Sequence, residues 1–319
     1  MNGVIEMNTR AVVINAYGGK DKLEEAMVEL PELGDNQLLV RVKATSINPI
    51  DWKIREGYLQ QMMPWEFPIT LGWDVAGVVE EVGNEVHGFK VGDAIVSRPA
   101  TTRFGTYADL TIVDASLATI KPETISFSDA AALPLAGLTA YQGLFDHGKL
   151  EEGQKVLIHA GAGGVGTYAI QLAKAKKAYV YTTASEKNHE LLKELGADEV
   201  IDYHQVAFDT VVKDVDVVLD TMGGEVQLNS IKTLKPGGRL VSIVGLSNEE
   251  AIAEADIEAS AIWLQPNGEQ LKELVSFMEE GALRSVIGDT FPLTQEGIYN
   301  AHALSETHHA AGKLVIVND

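Results

Sequence analysis

Lys155-Val156-Leu157-Ile158-His159-Ala160-Gly161-Ala162-Gly163-Gly164-Val165-Gly166 decides the fold of this chain. The apolar run that opens it is too short for a helix and rich in β-branched residues, which predicts a buried parallel strand. Glycines follow at once. After them the stretch from Tyr168 to Ala175 repeats apolar residues at helical spacing. Strand, glycine turn and helix form the context in which G-x-G-x-x-G binds a dinucleotide, and Gly161, Gly163 and Gly166 fill its three positions. The first glycine makes the tight turn, the second lets the backbone approach a pyrophosphate, and the third lets helix and strand pack closely. The helix N-terminus offers free N–H groups to the phosphates.

The next strand, Ala178 to Thr183, runs into Ala184-Ser185-Glu186-Lys187-Asn188. An NAD site places an acid at this tip to hold the ribose 2′-OH. Here the tip carries none, and Ser185 and Lys187 offer a hydroxyl and a cation that suit a 2′-phosphate. The sequence therefore predicts NADP(H). Glu186, one residue past the tip, weighs the other way. Ser185 also fits a helix cap, and Lys187 a solvated charge.

With 319 residues the chain is long enough for two domains. A formal net charge of −21 makes nucleic acid and anionic membranes poor partners. No apolar run approaches the roughly 18 residues of a membrane helix, and the N-terminus lacks a signal-peptide pattern, so a cytoplasmic protein is expected. Met1 to Glu6 reads as a dispensable leader before a first strand at Arg10–Ile14. There is no cysteine, which removes disulfides, thiol nucleophiles and thiolate zinc sites. The eight histidines show no metal-binding spacing, so no metal site is expected.

From Arg10 to about Asp129 short strands alternate with Gly and Pro, as in a barrel-like β domain. From Ala130 strands and helices alternate, which predicts a doubly wound parallel α/β sheet. The tail, Gly312 to Val317, is an isolated strand that returns most easily to the β domain. The expected domains are 1–129 with 286–319, and 130–285 for the nucleotide.

A set of motifs in order resembles the medium-chain dehydrogenase/reductase superfamily over nearly the whole length. They are Asn48-Pro49-Ile50-Asp51-Trp52-Lys53, Gly72-Trp73-Asp74-Val75-Ala76-Gly77, Val91-Gly92-Asp93, Gly137-Leu138-Thr139-Ala140-Tyr141, the glycine turn, Leu195-Gly196-Ala197-Asp198 and Gly312-Lys313-Leu314-Val315. Within the superfamily the chain is similar to the zinc-free quinone oxidoreductases and enone or alkenal reductases. In zinc-using relatives the Asn48 position is a cysteine and Trp73-Asp74 reads His-Glu. Neither survives here, and the cysteine-rich zinc lobe has no counterpart.

The resemblance implies a GroES-like β-barrel-type domain and a Rossmann domain with a parallel six-stranded sheet. It implies an NADPH-dependent reductase of quinones or of the C=C of α,β-unsaturated carbonyls, working without metal, and a homodimer. The pocket is expected over the nicotinamide, lined by Asn48 to Lys53. Asn48 would bond the substrate oxygen or the nicotinamide ribose, Lys53 would stabilise an oxyanion, and Tyr58 is a candidate proton donor. The same residues also admit structural roles: an Asp51–Lys53 ion pair, a turn at Asn48-Pro49, a core Trp52. On the cofactor side, Gly163, Gly164 and Val165 are expected at the pyrophosphate, Ser185 and Lys187 at the 2′-phosphate, and Tyr203 at the adenosine end. Some relatives carry the 2′-phosphate cation one position later, where this chain has Asn188. Thr139 and Val244-Gly245 are expected near the nicotinamide, and Leu264 lies in a segment that relatives bring towards the pocket. Two other roles fit the same fold: an enoyl-thioester reductase, and a non-catalytic NADPH-binding or sensing protein. A zinc alcohol dehydrogenase is the least consistent with these motifs.

Overall fold

The computed structural model describes residues 7–319, so the expected leader at 1–6 lies outside them. The chain forms two compact units.

Unit two comprises Ala136–Gln265 and Glu280–Arg284. Its sheet has six parallel strands: Lys155–Ile158, Tyr179–Ala184, Glu199–Asp202, Val215–Asp220, Leu234–Ser242 and Ile257–Ala261. Their order is third, second, first, fourth, fifth, sixth. The order reverses beside the first strand, and in open α/β sheets ligands bind at the carboxyl ends of the strands at such a switch point. Val156, Leu157 and Ile158 are fully buried, which is why this strand reads as a continuous apolar run. The sixth strand, Ile-Glu-Ala-Ser-Ala, carries no such run. Its pairing with Gly238–Ser242 makes it a strand, and no local pattern announced it.

Unit one holds the described residues up to Leu135, together with Pro266–Glu279 and Ser285–Asp319. It contains a three-stranded sheet and a seven-stranded one. The tail strand, Lys313–Val317, pairs antiparallel with Gln37–Ser46 and parallel with Ile287–Pro292. The tail therefore does return to the β unit. The helix Gly268–Glu279 also belongs to this unit, whereas the sequence-based boundary put it with the nucleotide domain. Gly268 explains the placement: a Cβ there would run into the Ser116 carbonyl, so the helix start lies directly on that loop. The alanine-rich stretch forms two helices, Phe127–Ala132 and Pro134–Tyr141. Ser126 caps the first by accepting from the Asp129 N–H at 3.0 Å.

Register in the seven-stranded sheet brings distant residues together. Val315 lies opposite Ser46, Ala44 opposite Ala76, and Val75 opposite Ser97. At one end of four neighbouring strands, Lys313, Asn48, Asp74 and Arg98 therefore stand in a row.

Candidate functional site

In unit two the glycine turn is built for close approach. Gly161 donates to the Thr183 carbonyl at 3.0 Å, and a Cβ on Gly166 would strike the Ala160 carbonyl and the Gly161 Cα. Gly163 is the N-cap of the helix Gly164–Ala175, whose first turn holds no acid. Its free N–H groups and positive dipole end face no competing carboxylate from that turn, so Gly163, Gly164 and Val165 fit a pyrophosphate. At the tip of the second strand Ala184 is buried, Glu186 and Lys187 are exposed, and the Asn188 amide donates to the Ser185 hydroxyl at 3.3 Å. Tyr203 follows the third strand and is 51% exposed, with its ring 4.3 Å from that of His204. Thr139 is buried on the helix Pro134–Tyr141, and Leu264 is half-buried.

The loop of Val244 and Gly245 is held by residues the motifs did not mark. Asp220, ending the fourth strand, accepts from the Met222 and Gly223 N–H groups, the Ser242 hydroxyl and the Gln227 amide, at 2.8–3.0 Å. Gln227 also donates to the Gly245 carbonyl at 2.8 Å and accepts from the Ser247 N–H at 3.0 Å. One buried glutamine thus ties together the tips of the fourth and fifth strands.

In unit one Asn48 is buried at the start of the helix Pro49–Glu56. Its amide donates to Asp74 at 2.7 Å, and its side-chain carbonyl accepts from the Lys313 ammonium at 2.5 Å. Asp74 further accepts from the Ser46 hydroxyl at 2.6 Å and the Leu135 N–H at 2.7 Å. Lys313 also donates to the Ile47 carbonyl at 2.8 Å and stands 3.8 Å from Asp74.

Asp51 accepts from the Asn48 N–H at 2.9 Å and the Tyr107 hydroxyl at 2.7 Å. No ion pair to Lys53 forms; the Lys53 ammonium instead lies 5.7 Å over the Trp52 ring. Arg55 donates to His302 Nδ1 at 2.8 Å. Nδ1 is therefore the acceptor, so Nε2 carries the proton and donates to the Tyr107 oxygen at 3.1 Å. Burial is the main cause that pushes Asp51 up to about 7, against the pull of its two donors. Burial, then Arg55, push His302 down to about 3.

These shifts have opposite signs. Unfolded, Asp51 titrates at about 3.9, so its contribution to stability is full below that pH and is lost as pH rises to about 7. His302 contributes above about 6.5 and loses its contribution as pH falls. Asp51→Asn keeps both acceptor bonds and does not ionise, and the His302 contribution cancels in the difference between the two proteins. The variant is expected to gain stability relative to wild type as pH rises from about 4 to about 7, and to hold that gain above. Urea midpoints check this, and a constant offset over that range would remove the Asp51 titration.

Tyr58 is 70% exposed just past the helix, and the structure brings it into no contact with Asn48. Asn48 is anchored by Asp74 and Lys313 and is not joined to Lys53. Tyr107, His302, Arg98 and the role of Lys313 were not legible in the sequence: Lys313 lies 265 residues from Asn48, and only strand register unites them.

A doubly wound sheet with a glycine turn at its switch point, in a chain with a separate β unit, defines a dinucleotide-dependent oxidoreductase. Residues 34–123 match the alcohol dehydrogenase GroES-like domain, and 195–316 match the family described as zinc-binding dehydrogenase. The chain is 37% identical to the 2-methylene-furan-3-one reductase of Solanum lycopersicum, over 94% of this chain and 76% of that one. It is 35% identical to the chloroplastic NADPH-dependent alkenal/one oxidoreductase of Arabidopsis thaliana, over 98% and 80%. The solved quinone oxidoreductase of Coxiella burnetii superposes with a TM-score of 0.90 at 37% identity, covering 98% of this chain and 99% of that one. The chain belongs to the medium-chain dehydrogenase/reductase superfamily, in its quinone oxidoreductase and enone reductase branch. The zinc named in one family description finds no thiolate here, and among the described residues no three His, Cys, Asp or Glu side chains gather as a metal site. No helix of the described residues is long and apolar enough to cross a membrane.

Proposed function

We propose that this oxidoreductase uses NADPH to reduce quinones or the C=C of α,β-unsaturated carbonyls, and that it does so without a metal. The observation that carries the reading is Lys313. Its buried ammonium sits between Asn48 and Asp74, positions that zinc-using relatives fill with metal ligands, and a cation seated there opposes a second one.

When bound, NADPH supplies the hydride, and conjugation lets the acceptor's charge settle on oxygen. The chain's own residues do the rest. Gly163, Gly164 and Val165 hold the pyrophosphate, Ser185 and Lys187 the 2′-phosphate, and Tyr203 the adenosine end. Thr139, Val244, Gly245 and Leu264 orient the nicotinamide half. Asn48 spends one amide hydrogen on Asp74 and keeps one to donate to the acceptor oxygen. Lys53 adds positive charge near the developing oxyanion, and Tyr58, open to solvent, delivers the proton. The scattered acid supports a cytoplasmic setting. Ile257–Ala261 ends the six-stranded sheet, and its outer edge supports a homodimer joined there.

The test follows NADPH loss with a benzoquinone, phenanthrenequinone, an enone and a 2-alkenal, each repeated with NADH and with a chelator. Turnover that is faster with NADPH and indifferent to chelation is expected. Saturable NADPH binding without turnover of any acceptor overturns the reductase reading. The Ser185→Glu/Lys187→Ala double variant is expected to raise KM for NADPH by about 10²-fold, placing a like charge where a phosphate would sit, while KM for NADH changes little. Equal losses with both cofactors would place the 2′-phosphate elsewhere.

A further inference from the structure

Arg98 is the member of the strand-end row that the reduction chemistry leaves unused. It follows the strand Ala94–Ser97, and register sets it beside Asp74. It is 3% exposed. Its guanidinium donates to the Pro99 carbonyl and, at 3.0 Å, to the Thr101 hydroxyl, both neutral acceptors. Its Nε is buried with no hydrogen-bond partner. Among the described residues no carboxylate stands within ion-pair distance of it. Asp74 and Asp51 act on it only from further away.

A buried arginine is ordinarily paired, because leaving its charge unmatched forfeits its hydration with nothing in return. Arg55, equally buried, meets this expectation with Glu306 at 2.8 Å. Arg98 does not. The charges in its row make the imbalance plain. Lys313 is matched by Asp74, whose two oxygens already accept from Ser46, Asn48 and Leu135. Asp51 is bound by Tyr107 and the Asn48 N–H, and its remaining oxygen has no partner either. The end of the sheet that carries Asn48 thus holds a guanidinium with no carboxylate in contact with it among the described residues, Asp74 and Asp51 acting on it only from further away.

We propose that Arg98 is an electrostatic positioning residue for the reduction, its unmatched guanidinium stabilising the negative charge that appears on the acceptor's oxygen beside Asn48. This rests on the reductase reading. The balance of the step is simple. Hydride adds to the β-carbon of an enone, or to a quinone, and the π electrons move to oxygen. The enolate or quinolate so formed then takes a proton from Tyr58, which solvent restores. The charge exists only between these two events, so a fixed cation that finds its counter-charge at that moment lowers the barrier without tightening ground-state binding. An acceptor preference follows. A fixed charge helps most where the oxyanion is least stabilised by the acceptor itself, so simple enones depend on Arg98 more than quinones do.

The test compares wild type with Arg98→Met, Arg98→Gln and Arg98→Lys, using the acceptor panel, NADPH affinity by fluorescence and thermal unfolding. For both neutral variants kcat is expected to fall about 10²-fold with an enone and about tenfold with a benzoquinone, while KM and NADPH affinity change less than about threefold. Arg98→Lys is expected to recover at least about tenfold of the enone loss. Neutral variants that turn over like wild type overturn the proposal, as does an equal loss on every acceptor, which marks general damage. If both neutral variants fail to fold, Arg98 belongs to folding and the proposal is also overturned. A wild type that reduces no acceptor sinks the reductase reading instead, and this inference falls with it.

Discussion

Alanine at position 166 is expected to weaken NADPH binding by about 100-fold, roughly 2.7 kcal/mol of binding free energy. The cause is backbone, not side chain. A Cβ at Gly166 would overlap the Ala160 carbonyl and would come within 2.7 Å of the Gly161 Cα, neither of which can turn aside. The helix Gly164–Ala175 must then lift from the strand that precedes it, and its first-turn N–H groups move off the phosphate position. Overpacking of this kind also costs about 1–3 kcal/mol of stability. Gly163→Ala is the informative partner, because its Cβ would lie 3.2 Å from the Ala160 carbonyl, a contact a small shift relieves. That variant is expected to unfold near the wild-type temperature and yet bind NADPH more weakly, since the added methyl stands where the pyrophosphate approaches. Fluorescence titration with parallel thermal unfolding reads both. A Gly166→Ala chain with wild-type affinity would move the cofactor away from this turn.

Lys313→Met is expected to carry the largest stability cost of any single change at the strand-end row. Lys313 is 3% exposed, and its ammonium bonds the Ile47 and Asn48 carbonyls beside Asp74. Methionine fills much of the same volume, so the loss is electrostatic: Asp74 remains as a buried carboxylate with its cation gone. Breaking one side of such a pair costs about 3–5 kcal/mol. In a chain of this size that lowers the unfolding temperature by on the order of ten degrees. The Lys313→Met/Asp74→Asn double variant is expected to regain a good part of the loss, because it removes the stranded charge while keeping amide contacts to Ser46 and Asn48. If the double variant is as unstable as the sum of the two single ones, Lys313 and Asp74 are not coupled. The Lys313→Met change also frees the Asn48 amide from one of its two anchors, so activity is expected to fall beyond what the lost stability explains. Scans of stability and turnover on the same samples separate the two effects.

What is local in the chain was legible without coordinates. The glycine turn was readable because its strand, turn and helix are contiguous and each glycine's task is set by neighbours a few residues away. The alternation of apolar runs and helical periodicity gave the doubly wound sheet, and the composition of the tip at Ser185-Glu186-Lys187 pointed to a 2′-phosphate. The tail strand was recognisable as a strand with no partner nearby, which is what sent it back to the β unit. The sixth strand of the sheet was not recognisable, since Ile257–Ala261 is short, half-exposed and held by its pairing with Gly238–Ser242.

The acceptor side is different in kind. Asn48 could be picked out with its motif, but its two fixed partners come from residue 74 and residue 313. The chain Arg55–His302–Tyr107–Asp51 crosses three widely separated segments, and the lone charge of Arg98 has meaning only once its neighbours are known. Strand register brought these residues together, and register is fixed by the packing of whole sheets. The doubly wound sheet and the glycine turn were legible in the sequence, because short-range periodicity and backbone sterics specify them. Which buried charges are matched and which is left over was decided by the tertiary structure alone, since burial and long-range pairing have no local signature.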